Sequence, residues 1–321
     1  MDGTGGTGTV FCCGFTPCLQ RILEFDRLEK GAVNRARSVS VGLGGKGANT
    51  ARMIVQMGGD ALLAGFVGGA NGRRFERLLG EEGVRFVHVE TAGETRICQT
   101  LIERGNPEVT ELVEEMPPPS PEEWARMRAV LERELPGAGG VVTISGRLPP
   151  GAPEEIYAEV CRLAAERGAR VIIDAPGAPL LRSLPHAPAL VKINDEELAR
   201  TLPEAEDLPA RCRGLLARGA RAVLITRGAR SAFFFTADGT ALELFPPEIE
   251  AVNPVGSGDA VTAGTALSLL RGEPLDEAVM TGLAWGASNA LHLACGVVEP
   301  EEIAALRPRV RARAIPARPP R

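Results

Sequence analysis

The sequence contains no stretch of about 20 apolar residues, the length that a bilayer-crossing helix needs. Its start, MDGTGGTGTVFCCG, has no basic segment leading into an apolar one, so the expectation is a soluble, cytoplasmic protein with no membrane partner. Histidine is scarce: His88, His186 and His292 lie far apart and give little support to zinc or to a histidine-centred triad. The cysteines, Cys12, Cys13, Cys18, Cys98, Cys161, Cys212 and Cys295, are odd in number and lack paired metal spacing, so they read as reduced, mostly buried residues. A net charge of -5 argues against a nucleic-acid partner. Lysine is the rarest cation: only Lys30, Lys46 and Lys192 occur, with arginine everywhere else. Lysines kept in such a composition point to places that need a compact ammonium.

What is present is an α/β pattern. The runs TVFCC, ALLAGFV, GVVTIS, ARVIIDA, ALVKI and RAVLIT are short, apolar and bounded by turns, as buried parallel strands are. Between them KGANTARMIVQM, GRRFERLLGEEG, PEEWARMRAVLERE, PEEIYAEVCRLAAERG and DEELAR carry helical apolar spacing. Ser120 before Pro121 is the expected N-cap of the third of these. At 321 residues the chain is read as one main domain with a mostly parallel central sheet and helices on both faces. Two stretches, about 17–42 and 94–113, alternate polar and apolar residues and are expected to pair as a small β lid. Residues 1–8 and 314–321 are expected to be flexible ends, although RVRARAI also fits a short terminal strand.

Two glycine-rich segments carry the chemistry. In VGLGGKGANTAR, Gly42, Gly44, Gly45 and Gly47 allow close backbone approach, and the helix opening there presents free N–H groups beside Lys46 and Asn49. In NPVGSGDAVTAG, Gly256, Ser257 and Gly258 form a turn whose amides face one spot, with Asp259 at the head of the next helix. An amide cradle next to a carboxylate supplies charge stabilisation and a proton acceptor together. By contrast, GTGGTG at Gly3, Gly5 and Gly8 precedes the first strand and cannot be a dinucleotide turn, and Gly45-Lys46 is followed by Gly47, so no Walker A loop exists.

Taken together, GGKGANTAR and NPVGSGDAVTAG resemble the two signatures of the phosphofructokinase-B (PfkB) family of ribokinase-like carbohydrate kinases, in the forms of its 1-phosphofructokinase and tagatose-6-phosphate kinase group. ISGRLPPG, VKINDEEL and LITRGARSA are similar to further family segments in order and spacing. The resemblance implies a ribokinase-like three-layer sandwich with ATP and Mg2+ as cofactors and a sugar phosphate as acceptor. Fructose 1-phosphate is the first choice, ahead of tagatose 6-phosphate and fructose 6-phosphate. It implies Asp259 as base, the amides of Gly256, Ser257 and Gly258 as anion hole, and Lys192, Asn194, Thr226, Gly228 and Asn289 on the nucleotide side. Glu197 would meet magnesium, directly or through water, while Gly45, Lys46, Asn49 and Arg96 would face the sugar. Where the family carries a sugar-binding aspartate this chain has Gln20, and Arg147 replaces a common serine where it could clamp a phosphate. A silent sugar or nucleotide sensor is the competing expectation, and a homodimer through the lid follows from the lid's exposed strand edges.

Overall fold

The expected alternation of strand and helix folds into a layered α/β architecture. The structure, a computed structural model, describes residues 8–106, 109–205 and 207–315, so Gly3, Gly5 and the end beyond 315 lie outside it. Among the described residues, ten strands form one sheet. From its centre outward on one side run β1 (Thr9–Cys13), β4 (Asp60–Val67) and β5 (Arg85–Glu90). On the other side follow β8 (Val141–Ser145), β9 (Arg170–Asp174), β10 (Leu190–Asn194) and β11 (Ala222–Thr226). These seven strands pair in parallel throughout. Beyond β11 the antiparallel strands β12 (Ala232–Thr236), β13 (Ala241–Phe245) and β14 (Arg311–Ala314) complete the edge. The terminal strand suggested by RVRARAI is therefore present.

The parallel strands other than β5 are buried on both faces, which explains their unbroken apolar runs, whereas β5 at the edge is only partly buried. One core is built from residues such as Leu63, Leu224 and Phe234 against helices α1 (Lys46–Gln56), α8 (Ser257–Leu270) and α9 (Leu275–Ala290). The other joins Phe11, Ile144 and Ile193 to α3 (Pro121–Glu134), α4 (Ile156–Glu166) and α7 (Leu208–Ala217). Ser120 caps α3 as expected, accepting from the Glu123 amide while the Glu123 carboxylate accepts from the Ser120 amide. Small residues let α8 and α9 pack closely: a Cβ on Gly264 would lie 2.7 Å from the Trp285 ring.

A second sheet stands apart, with β2 (Cys18–Phe25) and β6 (Ile97–Glu103) paired in parallel at its centre. β3 (Ser38–Gly44) and β7 (Val109–Val113) flank them antiparallel. No ladder joins the two sheets among the described residues. Period-2 alternation divides this lid's faces: Cys18, Gln20, Cys98, Glu111 and Val113 share the side that looks into a cleft, whereas Val39, Val41 and Leu112 look outward. The strand order of the main sheet reverses between β4, β1 and β8, and open α/β sheets bind ligands outside the carboxyl ends of the strands at such a point.

Candidate active site

The cleft lies between the lid and those carboxyl ends and has a volume of about 680 Å³. Its floor begins with a close backbone contact. A Cβ on Gly14, just after β1, would come within 2.8 Å of the Gly47 Cα, so only glycine lets the start of α1 settle on the strand end. Gly45 supplies the left-handed turn into α1, with φ of 98°. Lys46, the first residue of α1, consequently hangs over the ends of β9 and β10.

There it meets a carboxylate that sequence reasoning did not single out. Asp174, the last residue of β9, is fully buried and accepts from Lys192 Nζ at 2.9 Å through one oxygen and from Lys46 Nζ at 3.4 Å through the other. Burial pushes the Asp174 carboxyl up, but the two ammonium groups outweigh it and hold the group below its ordinary range. Glu197 stands 3.9 Å from Lys46. Burial alone would depress the Lys46 ammonium, yet the carboxylates of Asp174, Asp259 and Glu197 together raise it. Both lysines thus converge on one buried carboxylate, as the scarcity of lysine suggested.

Asp259 lies in the first turn of α8. It is nearly fully buried, and its carboxylate accepts from Asn49 Nδ2 at 2.9 Å, which ties the two glycine-rich segments together. Burial pushes its carboxyl up to about 6, reinforced by Asp174 and opposed by Lys46, the Asn49 hydrogen bond and Lys192. A carboxylate poised there can take up a proton near neutral pH and release it again. Before it, Gly256 adopts φ of 85°, and a Cβ on Gly258 would sit 2.8 Å from Lys192 Nζ. The glycines thus let the turn approach a cation with no side chain between them.

The amide cradle differs from expectation in one member. Ser257 donates its N–H to the Pro254 carbonyl at 3.1 Å and is already engaged. Helix geometry instead leaves the amides of Gly258 and Asp259 without an intrahelical acceptor. Asn289 is also not laid out as a nucleotide contact. It is fully buried, donates to Val255 O at 2.9 Å and Ser257 Oγ at 3.3 Å, and accepts from the Gly296 amide at 2.8 Å, so it braces the turn from behind. Asn253 braces the other side, donating to Leu293 O and accepting from Val255 N.

The remaining expected residues divide. Gln20, Gly45, Lys46, Asn49, Arg96, Lys192, Asn194, Thr226 and Gly228 all line the cleft. Asn194 caps α6 (Asp195–Thr201) by accepting from the Glu197 amide at 2.8 Å, and Glu197 closes that capping box with its carboxylate. Gln20 is buried on β2 and donates to Thr100 Oγ1 at 2.6 Å. Arg96 spends two nitrogens on backbone carbonyls, Thr16 at 2.8 Å and Glu114 at 3.1 Å. Glu197 is not among the cleft residues, and neither is Arg147, whose side chain is exposed because β8 ends at Ser145 and the chain turns away after Gly146. A separate hollow beside His88, Arg126 and Arg133 is a surface groove whose arginines are exposed.

A family model described as pfkB family carbohydrate kinase matches residues 15–302. The chain is 35% identical over 264 residues to a 1-phosphofructokinase of Xanthomonas campestris pv. campestris, covering 79% of this chain and 82% of that protein. Phosphofructokinase-2 from Escherichia coli, solved in complex with potassium, superposes with a TM-score of 0.85 at 23% identity, covering 94% of this chain and 99% of the other. Arabidopsis thaliana ribokinase complexed with ribose and ATP superposes with a TM-score of 0.73 at 18% identity, over 94% and 98% of the two chains. The two structural likenesses establish the ribokinase-like fold.

Proposed function

Because the chain belongs to the pfkB family of carbohydrate kinases and is a phosphotransferase acting on a sugar hydroxyl, we propose that it transfers the γ-phosphoryl group of ATP to a phosphorylated ketohexose, with fructose 1-phosphate the preferred acceptor. The observation that carries this reading is the meeting at one point of a base, Asp259, the amides of Gly256, Gly258 and Asp259 at the head of α8, and the ammonium of Lys192. The acceptor hydroxyl gives its proton to Asp259 as its oxygen bonds to phosphorus, and the bond to the departing diphosphate breaks. The amides and Lys192 bear the charge on the moving group.

The 35% identity to a 1-phosphofructokinase supports the choice of acceptor. Lys46 and Arg96 give the cleft the cations a sugar phosphate needs, and Gln20 offers hydroxyl contacts on the lid side. Thr226 and Gly228, at the end of β11, line the part of the cleft assigned to ATP. Magnesium bound with nucleotide phosphates takes few protein ligands and keeps several waters. Among the described residues no group of three or more metal-type side chains converges. Glu197, already shared with Lys46 and the α6 cap, suits contact through water. When bound, the ion neutralises charge on the phosphates.

The outward lid face supports a homodimer through the lid, since Val39 and Leu112, 48% and 50% exposed, are apolar residues left open on that side. Sedimentation of the protein and of Leu112→Lys tests this: the wild type should run as a dimer and the variant as a monomer. The acceptor is tested by ATP consumption with fructose 1-phosphate, fructose 6-phosphate, tagatose 6-phosphate and fructose. The expected order puts fructose 1-phosphate first in kcat/KM and unphosphorylated fructose last. Sugar-phosphate binding without ATP consumption would instead mark a sensor.

A further inference from the structure

We infer that Arg227 is a further specificity-determining residue of the cleft, holding the β-phosphate of the nucleoside triphosphate donor, with Ser231 as the residue that positions it. Arg96 and Arg227 are the arginines among the described residues that line the cleft, and Arg96 is committed to carbonyls at the root of the lid. Arg227 follows directly after β11 and is held by its own loop. Its Nε donates to the Ser231 carbonyl at 2.7 Å, its Nη2 donates to Ser231 Oγ, and its guanidinium lies over the Phe233 ring, 4.4 Å from the ring centre. Ser231 has a single hydroxyl hydrogen and gives it to Glu243 Oε1 at 2.6 Å, so a lone pair is what its oxygen turns to Arg227. Ser231 and Arg313 in turn keep the Glu243 carboxyl below its ordinary range. The guanidinium is thus fixed in plane and direction, yet it is not neutralised. Arg230 and Arg313 pair with Asp195 and Glu243, whereas Arg227 forms no ion pair among the described residues, and none of them accepts from its Nη1.

Register decides what this cation meets. The cleft ends of β10, β11, β12 and β13 stand side by side, with Asn194 opposite Thr226, Ile225 opposite Phe233 and Ala232 opposite Leu244. Adjacent strands lie about 4.8 Å apart, so the row from β10 to β13 spans roughly 14 Å. On β10, Lys192 stands against Gly258, where the phosphoryl group moves. Past β13 the lining turns apolar, with Pro246, Pro247 and Ile249 there and Leu283, Ala287 and Ala290 on α9, which suits a flat base. On the reading that ATP is the donor, its γ-phosphoryl group lies by Lys192, its base on the apolar lining and its other phosphates across β11. Arg227 stands one strand from Lys192 and two from the apolar end, the place of the β-phosphate. A guanidinium there can bond two of the phosphate oxygens at once. As the bond to the γ-phosphoryl group breaks, charge gathers on the departing diphosphate, so a fixed cation at this point serves the transfer as well as binding.

The test is equilibrium binding of ADP and of AMP to the full chain, read by calorimetry in magnesium with no sugar present. AMP has no β-phosphate. Arg227→Ala and Arg227→Gln should each weaken ADP by about 10- to 100-fold, the worth of a charge-assisted pair, and leave AMP within about twofold. Glutamine keeps a donor for Ser231 without the charge, so it carries the test if the alanine variant does not fold. Arg227→Lys should recover part of the loss, since an ammonium keeps the charge but not the fork. Ser231→Ala should weaken ADP about threefold. It should add nothing once Arg227 is replaced by alanine, as a residue acting only through Arg227 requires. Equal losses for ADP and AMP would put Arg227 at the base or ribose, and unchanged ADP binding in Arg227→Gln would make the guanidinium a loop tie only; either result overturns the assignment. A wild type that binds no ADP would instead overturn the reading of ATP as donor, and the assignment with it. No acceptor takes part, so the outcome does not depend on which sugar phosphate is turned over.

Discussion

The floor and the roof of the cleft are built on opposite principles. The floor sits on seven parallel strands and concentrates charge: Asp174 between Lys46 and Lys192, Glu197 beside Lys46, and Asp259 a turn away. The roof is a four-stranded sheet that presents Gln20, two thiols and Val113, with Glu111 its single carboxylate among the residues lining the cleft. The difference matches what each must meet. A group that gains and loses charge during phosphoryl transfer needs rigid, pre-positioned charges, while a polyhydroxy acceptor needs neutral groups that accept and donate.

The largest effect should come from the floor's base. Asp259→Asn is expected to lower kcat by about 10² to 10⁴, the usual worth of a positioned general base. The same substitution should stabilise the fold. Because burial raises the Asp259 carboxyl from 3.8 to about 6, stability is full below pH 4 and is lost as pH rises through about 6. Denaturant melts should show the variant about 3 kcal/mol more stable at pH 8 and indistinguishable at pH 4. A variant no more stable at pH 8 would mean that the buried charge is compensated in full.

Asp174→Asn comes next, and it should act in the opposite sense. Two ammonium groups would lose their shared carboxylate, and breaking such a buried pair costs about 3 kcal/mol. Since the Asp174 carboxyl is held below its ordinary value, its contribution exists above pH 4 and disappears in acid. The melts of wild type and variant should therefore converge as pH falls. Turnover in the wild type should itself fall about tenfold per unit below pH 6 as Asp259 takes up a proton, which a pH profile of kcat/KM would show.

The roof should answer more gently. Gln20→Ala should reduce kcat/KM for the acceptor by roughly 2- to 12-fold, the equivalent of one hydroxyl contact, with the KM for ATP unchanged. Gln20→Asp removes the donor and adds charge, and should reorder the sugar phosphates. An unchanged acceptor profile in both variants would remove Gln20 from the site and erase the division between floor and roof.

These contrasts also account for what the sequence made readable. The two glycine signatures, Asp259, Lys46 and Asn49 were legible because each carries local meaning: a turn, a cap, a helix start. Asp174 was not, although its strand was recognised in ARVIIDA. A carboxylate ending a strand looks ordinary until Lys46 and Lys192, 128 and 18 residues away, converge on it. Asn289 illustrates the reverse: expected on the nucleotide side, it lies behind the turn with its amide spent on Val255, Ser257 and Gly296, which only the fold shows. Strands β5, β12 and β13 were passed over because RFVHVE, AFFFT and ALELF lie toward the sheet's edges, where polar or aromatic residues replace the unbroken aliphatic signal.

Arg96 stands at the seam between the two sheets. Its guanidinium holds the carbonyl of Thr16, where the chain leaves the main sheet for the lid, and that of Glu114, where it returns. Among the described residues no strand ladder crosses this seam, so side chains tie the lid to the main body there, Leu19 and Leu43 reaching into the core beneath it. The guanidinium fastens outgoing and incoming chain to each other, a single pin through the two ends of the lid.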